Sequence, residues 1–134
     1  VKAFWSLELV CEKKLKLLVP YIDLFCEVLP TLKNDSAIRP ATKICMFLAK
    51  SNHRKNGISL TQEQEHNLIE ALIDRLIQDE KVAAKVYAMK ALFFFFLKYD
   101  WVHDELKTII SQDYSNHSAA YQAATRNLLK KLNK

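Results

Sequence analysis

Apolar residues recur along this chain at helical spacing, with polar residues on the intervening faces. Leu18, Tyr21, Ile22, Phe25 and Leu29 form one such stripe and predict a helix over 14–29, with Pro20 near its start or kinking it and Pro30 ending it. Thr61-Gln62-Glu63-Gln64 has the form of a capping box, in which a hydroxyl and an amide side chain each satisfy a backbone N–H of the first turn. A helix over 61–78 follows from it, turning Leu68, Ile69, Leu72, Ile73, Leu76 and Ile77 inward. Val102, Leu106, Ile109 and Ile110 predict a shorter helix over 102–113.

Four further segments, 1–12, 36–51, 81–98 and 116–132, also read as helices. Asp35 or Ser36 and Ser115 or Asn116 are N-cap candidates, and Pro40 is expected in a first turn, where its missing N–H costs little. The 81–98 segment is apolar nearly all round, from Ala83 and Ala84 through Phe93, Phe94, Phe95 and Phe96, so it must be covered on several sides. That is the environment of an interior helix in a stack of helical hairpins.

The chain also repeats itself. Ile38-Arg39-Pro40-Ala41-Thr42-Lys43-Ile44 and Ala84-Lys85-Val86-Tyr87-Ala88-Met89-Lys90 share a pattern with segments beginning at Val1 and Ala120. Lys2, Arg39, Lys85 and Tyr121 become equivalent, at separations of 37, 46 and 36 residues, with the polar run Ser51 to Gly57 as a loop insertion in the longest interval. A helical hairpin with its turns has this period.

Composition narrows the picture. A single Gly among 134 residues excludes the many positive-φ turns that sheet-rich folds of this size need, which points to an all-α chain. No apolar run reaches the ~20 residues needed to span a bilayer, so no membrane partner is expected. Cys11, Cys26 and Cys45 are an odd count at wide spacing within apolar stretches, as expected of buried free thiols in a reducing cytoplasm rather than of a metal set. The start at Val1, already in helical pattern, reads as a cut inside a longer protein.

Asp35-Ser36-Ala37-Ile38-Arg39 and Asp79-Glu80-Lys81-Val82-Ala83-Ala84-Lys85 resemble the D-x-x-V-R turn and second-helix start of HEAT repeats. The resemblance covers essentially the whole chain. Before the fourth copy the Asp is absent and Tyr121 replaces the basic residue, as in an atypical terminal repeat. It implies an all-α, right-handed α-α superhelix of the HEAT/armadillo type, a solenoid of about three and a half antiparallel hairpins. Residues 1–134 form one domain in this reading, the C-terminal fragment of a slightly longer protein. More closely, Lys81-Val82-Ala83-Ala84-Lys85-Val86-Tyr87-Ala88-Met89 and Asp100-Trp101-Val102-His103-Asp104-Glu105-Leu106-Lys107 are similar to a group of short bacterial helical-repeat proteins, some called adenylosuccinate lyases. Lyases of the fumarase superfamily carry a Gly-rich S-S-x-M-P-x-K-x-N loop, which has no counterpart here.

Catalysis requires converging titratable groups, and His53, His66, His103 and His117 fall at loops and helix starts, as surface residues do. His103, Asp104 and Glu105 are adjacent, yet acids in a first turn are explained by the helix dipole alone. Neither a phosphate-binding loop nor a nucleophile elbow nor an H-E-x-x-H zinc motif is present, and no catalytic residue, cofactor or metal is expected. The resemblance places a ladder on the concave edge instead: Lys2 and Trp5, Arg39 and Lys43, Lys85 and Met89, then Tyr121 and Thr125, with Arg126 as a further candidate for binding. The plainer reading pairs these cations with Asp35, Asp79 or Glu80.

Basic residues also gather at Lys13, Lys14 and Lys16, at His53, Arg54 and Lys55, and at Lys130, Lys131 and Lys134, all turns or termini where solvation suffices. The expected function is therefore a non-enzymatic interaction scaffold with a protein partner. Alternatives are nucleic-acid binding in the manner of HEAT-like DNA glycosylases, for which Asp100-Trp101 is the adjacent acid and tryptophan, and the lyase activity of the similar proteins. A first helix without a hairpin mate would expose Phe4, Leu7 or Val10 and favour a homodimer through that end.

Overall fold

The computed structural model describes residues 2–77 and 82–113, together with 122–123, 126–127 and 130. The protein is all-helical, with no strand among the described residues. α1 spans Lys2–Lys14, α2 Ile22–Val28, α3 Asp35–His53, α4 Gln62–Ile77, α5 Val82–Phe96 and α6 Asp100–Asp113. The helix expected over 116–132 falls largely outside the described residues, as do Asp79, Glu80 and Tyr121.

The expected continuous helix over 14–29 is corrected. Leu15–Tyr21 is a 3₁₀ segment, α2 occupies only Ile22–Val28, and a 3₁₀ turn at Leu29–Thr31 ends it. Pro20 lies inside the 3₁₀ segment, where the absent N–H and the ring's clash with the preceding turn forbid regular α geometry. The break also rotates the stripe: Leu18, Ile22, Phe25 and Leu29 are buried, whereas Tyr21 is 60% exposed. Arg75 of α4, itself buried, donates from Nη2 to the Leu29 carbonyl at 3.0 Å and the Leu32 carbonyl at 2.5 Å, holding the end of this irregular stretch.

α3 is capped by Asn34, one residue earlier than expected; its Oδ1 accepts from the Ser36 N–H at 2.9 Å. The earlier start leaves Pro40 beyond the first turn, inside the helix. At the other end, Ser51 Oγ accepts from the Ile58 N–H at 2.9 Å and Asn52 Oδ1 from the Leu60 N–H at 2.8 Å, so the last turn of α3 folds the following loop onto itself. Ile58 and Leu60 are buried and anchor it. A Cβ on Gly57 would meet the Ser51 carbonyl oxygen at 1.8 Å, which places the chain's one glycine at a close approach of two backbones.

The capping box forms as read. The Thr61 N–H donates to Gln64 Oε1 at 3.0 Å, and the Gln64 N–H donates to Thr61 Oγ1 at 3.1 Å. From that start α4 buries Leu68, Ile69, Leu72 and Leu76, while Ile73 is half-buried and Ile77, at its end, is 58% exposed rather than inward.

α3 packs against both α1 and α5, and α4 packs against α2, α5 and α6. α5 therefore has neighbours on several sides, as its all-round apolar sequence requires; Phe95, Leu92, Ala88 and Ala91 are fully buried, and Phe93, Phe94 and Phe96 pack against the core from its margin.

Candidate functional site: a cationic cleft between two helix ends

The last turn of α1 and the last turn of α3 lie side by side because the two helices pack along their length. Their ends, with the 3₁₀ segment after α1 and the 54–58 loop after α3, enclose a cleft of about 990 Å³. Cys11, Leu15, Phe47 and Ile58 supply an apolar floor and wall, with Cys11 and Ile58 buried and Phe47 half-buried. Lys13, Lys14, Lys16, Lys50, Arg54 and Lys55 line the same cleft, and all six are exposed. None of them forms an ion pair among the described residues.

Against these six cations, Glu12 is the single acid among the described residues that line the cleft, which leaves a formal +5, equal to the net charge of the whole chain. Cations at a helix C-terminus are favourable without a ligand, since each macrodipole ends in about half a negative charge. Two helix ends thus offset roughly one unit of the five. The remainder is an open, unneutralised field, focused between low-dielectric walls.

The structure brings together two of the basic clusters seen in the sequence and disperses the expected ladder. Arg39 is exposed, but Lys85 and Met89 are buried instead of facing an open edge. Both sit on the face of α5 that carries Ala84, Ala88 and Leu92 into the core. Lys43 is held between helices: its Nζ lies 3.0 Å from Glu8 Oε1 of α1, 5.8 Å from the Phe47 ring centroid and 5.9 Å from that of Tyr87 on α5. The hydrogen bond to Glu8 raises the Lys43 pKa against the opposing effect of burial. Arg126 is exposed; the side chains of Lys2 and Trp5, and all of Tyr121, lie outside the described residues.

A second polar centre escaped the sequence reading. Glu65, fully buried on α4, accepts from Asn52 Nδ2 at 2.8 Å, Lys98 Nζ at 2.8 Å and Tyr99 Oη at 2.9 Å. Burial alone would raise its pKa; the hydrogen bonds from Lys98, Asn52 and Tyr99, with the Lys98 charge, outweigh that and hold it below the ordinary value. With its lone pairs so occupied, the carboxylate ties the end of α3, the start of α4 and the turn after α5 together. The signal was present, because Glu65 shares the stripe of Leu68, Ile69, Leu72 and Leu76.

Next to it, His66 packs edge-on against Tyr99 and Trp101, with ring centroids 5.3 and 6.3 Å away, and its buried Nε2 has no hydrogen-bond partner among the described residues. His103 Nδ1 approaches Asp104 Oδ1 only to 3.4 Å at a helix start; the carboxylate is 85% exposed, whereas the imidazole is half-buried against the Phe96 ring, with centroids 5.3 Å apart. Cys11, Cys26 and Cys45 are buried free thiols. Among the described residues no three His, Cys, Asp or Glu side chains come together as a metal site, and no helix is long and apolar enough to cross a membrane.

These features define an all-α protein whose distinguishing surface is a cationic cleft at two packed helix ends. No protein-family model, curated protein or solved structure matches the chain.

Proposed function

We propose that this chain is a non-enzymatic helical-repeat interaction module that engages a protein partner through the cationic cleft at the ends of α1 and α3. The concentration in one cleft of six cations that have no ion-pair partner among the described residues, a formal +5 once Glu12 is counted, carries the reading. Long-range fields of that kind steer a complementary surface into contact and select against like-charged partners. The contact moves from the ladder on the concave edge to the helix ends, because Lys85 and Met89 are buried.

The architecture is read as a right-handed α-α superhelix of the HEAT-like type. Support comes from the packing order, with α3 between α1 and α5 and α4 between α2 and α6, and from the recurring sequence segments on α1, α3 and α5. Three unpaired buried thiols support a reducing compartment.

Affinity capture at near-physiological ionic strength, about 0.15 M, tests the function with two baits: the native chain and its Lys50→Glu/Arg54→Glu/Lys55→Glu variant. A protein retained stoichiometrically by the native chain and lost by the variant, at unchanged helical content, is the expected result. Equal retention by both baits refutes the assignment of the cleft.

A further inference from the structure

We propose that the segment docked in the cleft is an acidic peptide that carries apolar side chains between its carboxylates. The inference rests on the interaction-module reading and specifies the chemistry of the partner.

Two features of the cleft must be satisfied at once. Its mouth offers ammonium groups and one guanidinium, Arg54, whose planar fork matches a carboxylate through two parallel hydrogen bonds. Beneath lie Cys11, Leu15, Phe47 and Ile58, and Leu17 stands beside them 58% exposed. A ligand with charge alone leaves this apolar floor wet; one with apolar groups alone leaves the cations unanswered. Alternating carboxylates and hydrocarbon side chains, as on an acidic amphipathic helix laid in a groove, answer both.

Nucleic acid fits less well. Phosphates would meet the lysines, but single strands also need aromatic platforms on which bases stack, and the one aromatic ring among the described residues that line the cleft, Phe47, is half-buried. A duplex has no apolar group to set on the floor. An anionic bilayer meets a protein across a broad front, whereas Cys11 and Ile58 of the cleft lining are buried.

Fluorescence anisotropy on the full chain tests the proposal. The probes are a labelled acidic peptide with Leu and Phe at helical spacing, its counterpart with those residues changed to Ser and Gln, and a duplex oligonucleotide; vesicles containing phosphatidylserine are tested by co-sedimentation. Saturable binding of the first peptide is expected, about tenfold or more tighter than its polar counterpart, because seating even one large side chain on the floor supplies that ratio. Arg54→Glu/Lys55→Glu should weaken it by about tenfold or more, and Arg54→Ala/Lys55→Ala, which leaves the helix ends uncharged at those positions, should weaken it less, in the same direction. Tighter binding of the duplex or the vesicles, equal binding of the polar peptide, or indifference to both variants would overturn the proposal. If no peptide binds while capture of a protein remains sensitive to charge reversal in the cleft, the acidic-segment inference fails and the interaction module stands.

Discussion

Lys98 Nζ lies 2.8 Å from Glu65 Oε1, so a lysine whose side chain is 59% exposed meets a carboxylate that is fully buried. The asymmetry assigns the energetic stake to Glu65, because Lys98 can turn back to water whereas the carboxylate cannot. Its folded pKa lies below the ordinary 4.5, so the stability it adds is fully present above about that pH and is lost as pH falls through the folded value. Glu65→Gln should cost about 2 kcal/mol at neutral pH, where the new amide presents a donor to other donors, and should flatten the acid limb of the stability curve. Denaturant titrations across the acid range check both; parallel pH profiles for the two proteins would contradict the assignment.

Gly57 offers a separate test of the fold at the cleft. A Cβ there would sit 1.8 Å from the Ser51 carbonyl oxygen, so Gly57→Ala must displace backbone rather than a flexible side chain. The displacement also strains the Ile58 N–H to Ser51 Oγ bond, at 2.9 Å. A loss of roughly 1–3 kcal/mol, the usual cost of overpacking, is expected. Thermal melts measure it, and a variant as stable as the native chain would show that the loop does not close on Ser51 as described.

The thiols report on the opposite end of the stability range. Burial pushes Cys26 up to about 11, with Asp23 adding to the shift, and raises Cys45 and Cys11 as well. Only thiolate reacts with disulfide reagents, so all three should resist modification at pH near 8 in the folded chain and react together on unfolding. Rapid modification of Cys45, which has no exposed surface, would contradict the core described around α3.

Where one physical rule acts alone, the sequence was legible. The capping box at Thr61 and Gln64 is a local exchange of hydrogen bonds, and it forms at the expected residues. The all-round apolar pattern of 81–98 requires neighbours on several sides, which α5 has in α3, α4 and α6. Expectations failed where two rules compete: the stripe through Tyr21 assumed α geometry that Pro20 denies, and Lys85 was read from its charge while its register placed it with Ala84 and Ala88 in the core.

The cleft was hidden for a different reason. Lys13, Lys14 and Lys16 explain themselves as a solvated helix end, and so do Arg54 and Lys55; only the packing of α1 on α3 turns two such ends into one site. The proposed repeat held the clue, since Lys13 and Lys50 are separated by the same 37 residues as Lys2 and Arg39. Equivalent helices that pack side by side bring equivalent ends together.

Lysine footprinting of the complex with its captured protein partner tests that site most directly. Brief acylation followed by mass spectrometry should find Lys13, Lys14, Lys16, Lys50 and Lys55 protected by the partner, while Lys90 on α5 and Lys107 on α6, both exposed, react as in the free chain. Protection of Lys90 and Lys107 with undiminished reaction in the cleft would contradict the account.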